Sequence, residues 1–227
     1  HYRLHAESLE EPVFAPDGAM VGSLVHRLLQ RIWHSLEDSA GLSRRSADEL
    51  EALVGAHARQ VLDDAAAVRP DLFGMRFRAL EAERLTRLML AWLDAERQRE
   101  QGFEVVALER DQTAQLGTLT LTTRADRIDR LSDGTLAVID YKTGREISDR
   151  GWFEDRLVEP QLPLYTTTAG AHVSTALLAR VRSDGPGCRF VGVSRQAGFA
   201  PGVTTPAERQ EGLDWDELQQ HWRSSLE

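Results

Sequence analysis

Between Thr135 and Lys142 the chain reads T-L-A-V-I-D-Y-K, a strand that is apolar on both faces and ends by presenting an aspartate and then a lysine. A strand buried on both faces must be covered on both sides, which points to an α/β or α+β domain with a mixed sheet. Alternation puts Leu136, Val138, Asp140 and Lys142 on one face and Ala137, Ile139 and Tyr141 on the other. Asp140 and Lys142 therefore point the same way at the carboxyl end of the strand, where ligands sit in open α/β sheets. Unpaired charge inside a sheet costs on the order of several kcal/mol. Either the strand ends at Asp140, or the charges have a task.

The preceding hairpin decides whether a second carboxylate joins them. If Ser132-Asp133-Gly134 is a three-residue loop with Gly134 in the left-handed conformation, Asp126 lies directly opposite Asp140. A two-residue Asp133-Gly134 turn instead sets Asp126 opposite Tyr141 and turns the aspartates to opposite faces. Both registers are open to this sequence, and a glycine closing a three-residue loop favours the first. Two facing carboxylates repel unless one is protonated or a cation lies between them. With Lys142 beside them, the economical reading is a divalent metal on Asp126 and Asp140, Mg²⁺ or Mn²⁺ by the hardness of the oxygen donors. The plain alternative is a hairpin with a solvated end whose Asp126 and Lys142 are surface charges.

The rest of the pattern supplies the expected setting. Helical spacing runs over Met20–Glu37, introduced by Asp17 and Gly18, over Ser46–Ala67, where Ser46 and Glu49 form a capping box, and over Met75–Gln101. Strand patterns follow at Phe103–Arg110, Thr118–Leu131 and Thr135–Lys142, then a short helix Glu159–Ala169, strands Val173–Arg182 and Arg189–Ser194, and a last helix Pro206–Leu226. At 227 residues this is expected to be one domain, mainly helical over 1–101 and sheet-containing over 102–227. The chain opens on histidine and closes inside a helical pattern, which reads as a piece excised from a longer protein. Cys188 is the only cysteine, so neither a disulfide framework nor a cysteine-held zinc or iron–sulfur cluster can form within this chain. A cytoplasmic setting is expected. The formal charge of −9 disfavours a general nucleic-acid coat but not a local site, because acids that hold a cation become attractive once it is bound.

The run R-A-D-R-I-D, Arg124 to Asp129, followed by D-G-T-L-A-V-I-D-Y-K-T-G, Asp133 to Gly144, resembles the PD-(D/E)XK nucleases of the RecB and AddB type. The resemblance extends upstream to Gly22-x-x-x-His26 with Leu28-Leu29 and to Glu81-x-x-Arg84, Trp92 and Glu109, and downstream to Gln161-Leu162-Pro163-Leu164-Tyr165. It implies a restriction-endonuclease-like core in which His26, Asp126, Asp140 and the Tyr141 carbonyl ligate the metal. It also implies that Lys142 is the catalytic lysine and that Gln161 and Tyr165 shape the DNA-side wall. The departures are Thr123, where a glycine is common, and the missing cluster cysteines.

Taken alone, His26 lies on the rim of the first helix's apolar arc, where a histidine is more often a hydrogen-bonded boundary residue than a ligand. Gly22 one turn earlier changes that balance by clearing room for a strand end. Gln161 and Tyr165 share a helix face and read otherwise as half-buried packing. Glu81, Arg84 and Glu109 read as ion-pair residues, with Glu109 also placed to support the metal shell. Trp215 and Trp222 form one core-facing side of the last helix, and His5, His34, His57, His172 and His221 show no ligand spacing. The expected function is metal-dependent hydrolysis of DNA within a helicase–nuclease or repair protein, partnered by a helicase or translocase. The rivals are a non-catalytic module that binds DNA ends or a partner, and a metal-dependent phosphoesterase for small molecules.

Overall fold

The computed structural model describes residues 16–116, 119–169 and 172–226; His5 and the expected strand start at Thr118 lie outside them. Four helices come first: α1 (Gly18–Leu36), α2 (Ser39–Ser43), α3 (Ala47–Val68) and α4 (Met75–Glu96). Strands β1 (Phe103–Leu116), β2 (Leu119–Leu131) and β3 (Leu136–Lys142) follow, then α5 (Gln161–Thr168), β4 (Val173–Arg180), β5 (Arg189–Ser194), β6 (Val203–Thr204), α6 (Pro206–Arg209) and α7 (Trp215–Leu226). The Asp17 side chain caps α1, and Ser46 with Glu49 closes the capping box of α3.

The strands form one mixed sheet in chain order. The pairs β1–β2, β2–β3 and β4–β5 are antiparallel, whereas β3–β4 and β5–β6 are parallel. The parallel β3–β4 pair needs a long crossover, and α5 lies within it. Each sheet face carries its own apolar layer. On one, Ala137, Ile139, Tyr141, Leu177 and Ala179 pack with the buried sides of α1, α3 and α4. On the other, Val138, Ala176 and Leu178 pack with Leu162 and Tyr165 of α5 and with Trp215 and Trp222 of α7. The α/β class, the mixed sheet and the two faces of β3 are as the sequence pattern predicts.

Three elements differ from the expected bounds by more than two residues. The third helix stops at Glu96, because the turn after it brings Arg99 inward against Glu96. The last helix is two, α6 and α7, separated by Gly212 at φ 81°. The first β-ribbon extends to Leu116, beyond the expected Arg110.

Candidate active site

Gly134 is left-handed at φ 84°, and its N–H donates to the Leu131 carbonyl at 2.9 Å, closing the three-residue loop. The β2–β3 ladder then runs from Arg130–Leu136 to Arg127–Ile139. One step further in this register Asp126 stands opposite Asp140, and a side chain takes over from the ladder: Asp126 Oδ2 accepts the Tyr141 backbone N–H at 2.6 Å. In a strand the N–H and C=O of one residue point to the same edge, so the Tyr141 carbonyl shares the side on which Asp126 sits.

The other Asp126 oxygen meets α1. His26 Nδ1 lies 3.2 Å from Asp126 Oδ1, and the His26 ring stands edge-on to Tyr141 with centroids 5.9 Å apart. This approach depends on Gly22, since a Cβ there would come within 3.2 Å of Thr143 Oγ1 in the segment after β3. Glu109 of β1 completes the group: His26, Glu109 and Asp126 each offer a donor atom, all within 4.8 Å of one another. Glu109 reaches that place through an irregularity of β1. A bulge between Val105 and Ala107 shifts the β1–β2 register by one residue, and Glu109 then falls between the pairs Leu108–Arg127 and Arg110–Ala125, opposite Asp126. Its backbone is left-handed at φ 51°, a conformation that costs a non-glycine residue about 1–2 kcal/mol.

Asp140 stands outside this tight trio. Lys142 Nζ lies 2.8 Å from Asp140 Oδ2 and forms an ion pair with it. Burial and the Asp126 charge push the Asp140 carboxyl up to about 6, with Lys142 pulling the other way. Burial and Asp126 likewise raise Glu109, against Arg124. Burial on its own lowers His26, but Asp126, Asp140 and Glu109 outweigh it and the imidazole is raised. Lys142 is also raised, because Asp140 more than offsets the effect of burial.

Two clefts open on either side. One, of about 510 Å³, is lined by Asp140, Lys142, Glu159, Gln161 and Arg124 among others. The second, of about 500 Å³, is lined by Gly22, His26, Arg27, Glu109 and Arg124. Gln161 lies at the mouth, and its side-chain amide donates to the Arg124 carbonyl at 2.9 Å, tying the start of α5 to β2. Tyr165 does not line the cleft. One turn further along α5 it is 1 % exposed and packs with Leu162 in the apolar layer beneath the sheet. Glu81 and Arg84 form a two-pronged ion pair at 2.6 and 2.7 Å, as expected. His34, His57, His172 and His221 join no ligand cluster among the described residues.

The trio of His26, Glu109 and Asp126, with the Asp140 carboxylate beside it, fits a divalent cation. Anionic oxygen donors this crowded repel one another in its absence, and burial first and the Asp126 charge second raise the carboxyls of Glu109 and Asp140. No curated protein matches the chain. The sequence profile of the PD-(D/E)XK nuclease superfamily matches residues 1–227. Asp140-x-Lys142 on β3, with Asp126 facing it from β2, supplies the acidic residues and lysine of that family name, with Ala125 where the name has proline, and the match spans every element that brings these side chains together; the chain belongs to the PD-(D/E)XK nuclease superfamily.

Proposed function

We propose that this protein is a Mg²⁺- or Mn²⁺-dependent deoxyribonuclease of the RecB/AddB type that works inside a DNA-repair or helicase–nuclease protein. The observation that carries the reading is the gathering of His26, Glu109 and Asp126 donor atoms within 4.8 Å of one another beside the Asp140–Lys142 ion pair, which lines the adjoining cleft. His26, Glu109, Asp126, Asp140 and the Tyr141 carbonyl are the groups that would hold the cation. When bound, it supplies Lewis acidity toward a phosphodiester and lowers the pKa of a water.

The chain's own residues do the remaining work. Lys142 presents a compact positive charge to the cleft, where it can offset negative charge that builds on a phosphate during attack by water. Asp126 fixes the strand end through the Tyr141 N–H and orients His26, so two of the donors are positioned before any ligand arrives. Gln161 holds the cleft wall at a set distance from β2, and Tyr165 supports α5 from behind. Of the arginines of α4, Arg84 pairs with Glu81 of its own helix and Arg78 with Asp63 of α3, and a formal charge of −9 disfavours a general phosphate-binding coat. Delivery of DNA by a helicase or translocase would compensate for weak binding, and it predicts a shallow salt dependence for DNA binding by this chain alone.

The test is cleavage of end-labelled DNA, beside a nucleotide monoester, in Mg²⁺ and in Mn²⁺. DNA is expected to be cut and the monoester left. Lys142→Ala should lower the rate by on the order of 10²–10³-fold while Mn²⁺ still binds. Undiminished cleavage by Lys142→Ala would remove the lysine from the chemistry.

A further inference from the structure

Arg124 is the one basic residue that lines both clefts, and nothing in its family resemblance gives it a role. Its guanidinium is 2.5 Å from Glu109 Oε2 and 3.7 Å from Asp111 Oδ1, while the side chain stays 54 % exposed. Glu109 is thus claimed twice: by Arg124, and by the donor trio it forms with His26 and Asp126. A divalent cation on Glu109 would draw charge from the carboxylate and repel the nearby guanidinium, which weakens the Arg124 pair. Lys142 has no such freedom, being held beside the buried Asp140.

We propose that Arg124 is a substrate-phosphate ligand released by the cation: metal binding takes Glu109 from it, and the freed guanidinium turns to a backbone phosphate of DNA lying across the two clefts. This rests on the nuclease reading above. An exposed ion pair is weak enough to exchange, and the planar fork of arginine matches two phosphate oxygens as readily as it matches a carboxylate. Position favours the exchange as well. The Arg124 carbonyl is pinned by Gln161, so the backbone stays in place while the side chain swings from the Glu109 side toward the cleft that holds Lys142. Cation binding would in this way raise affinity for the substrate without any movement of the fold.

The exchange predicts effects of opposite sign from one substitution, which a purely structural arginine would not produce. In a Mn²⁺ titration of the full chain, Arg124→Met should bind the ion about two- to fivefold more tightly than wild type, the range expected for removing an exposed competing ion pair. In the Lys142→Ala background, which prevents turnover, binding of a labelled oligothymidylate over a salt series should have a slope shallower by about one for Arg124→Met when Mn²⁺ is present. Without Mn²⁺ the two slopes should coincide. Arg124→Lys keeps the charge and should restore the slope, which controls for loss of folding. Unchanged or weaker Mn²⁺ binding by Arg124→Met would show that Arg124 supports Glu109 instead of competing for it. An unchanged slope in Mn²⁺ would show that it meets no phosphate. If wild type with Mn²⁺ fails to cut DNA, the nuclease reading fails; if it cuts while these two signatures are missing, only the exchange does.

Discussion

At Asp140 the carboxyl is pushed up to about 6 from an ordinary 3.8, so the folded protein keeps a proton there that the unfolded chain has already released. Between about pH 4 and pH 6 the folded state therefore binds more protons than the unfolded one, and stability falls as pH rises through that window and stays low above it. Two pKa units correspond to about 3 kcal/mol. Asp140→Asn cannot ionise, and in EDTA at pH 7 it is expected to gain on the order of 2–3 kcal/mol of stability and to flatten the slope, while losing cleavage. Urea denaturation across a pH series measures this, and a variant less stable than wild type at pH 7 contradicts it. Asp140 and Lys142 were legible as a pair from strand alternation, and Gly134 favoured, without fixing, the register that sets Asp126 opposite Asp140. Glu109 was not placed so firmly, since its position depends on a bulge that adds one residue to β1, and no residue near Val105 announces a bulge. Arg127 and Asp129, fully buried, were equally hidden: an alternating charged strand reads as solvated unless its partners, Glu96 and Arg99, are known.

Elements were most legible where side chains close them. Asp17 and the Ser46–Glu49 box mark helix starts that the structure reproduces, because capping is local chemistry. The two-residue β6 carries no such mark, and α2, although Asp38 caps it by accepting the Gly41 N–H, is only five residues long and too short to show a helical period. The position of α1 over the strand ends is set by Gly22, whose missing side chain leaves room for Thr143. Alanine there needs the Thr143 hydroxyl to give by a few tenths of an ångström, and the two further methyls of valine are expected to press on the segment after β3. Gly22→Val should then weaken Mn²⁺ binding by about tenfold, as loss of support behind a ligand does, with helix content by circular dichroism nearly unchanged. Wild-type Mn²⁺ affinity in that variant would show that α1 is not positioned through this contact.

Across the whole molecule, the helical half and the sheet are joined by charge as well as by apolar packing. Arg127 holds Asp129 at 2.6 and 2.7 Å and Glu96 of α4 at 2.6 Å, Arg99 bonds Asp129 at 2.6 Å, and the Arg127 guanidinium lies 3.8 Å over the Trp33 ring of α1. Removing one member leaves buried charge uncompensated, so Arg127→Met is expected to cost about 3–5 kcal/mol in urea denaturation. The transition should remain single, because residues 18–96 and the sheet share one apolar layer. Two separate transitions would show that the halves fold independently. The strand order carries a different consequence, one of timing. Every strand lies beside its neighbour in the chain, so the β1–β2–β3 meander that carries Glu109, Asp126 and Asp140 closes only short loops and can form early in folding. His26 must arrive from the far end of the sequence. In stopped-flow refolding, the sheet signal should precede the capacity to bind Mn²⁺, and the delay between them would time the docking of α1.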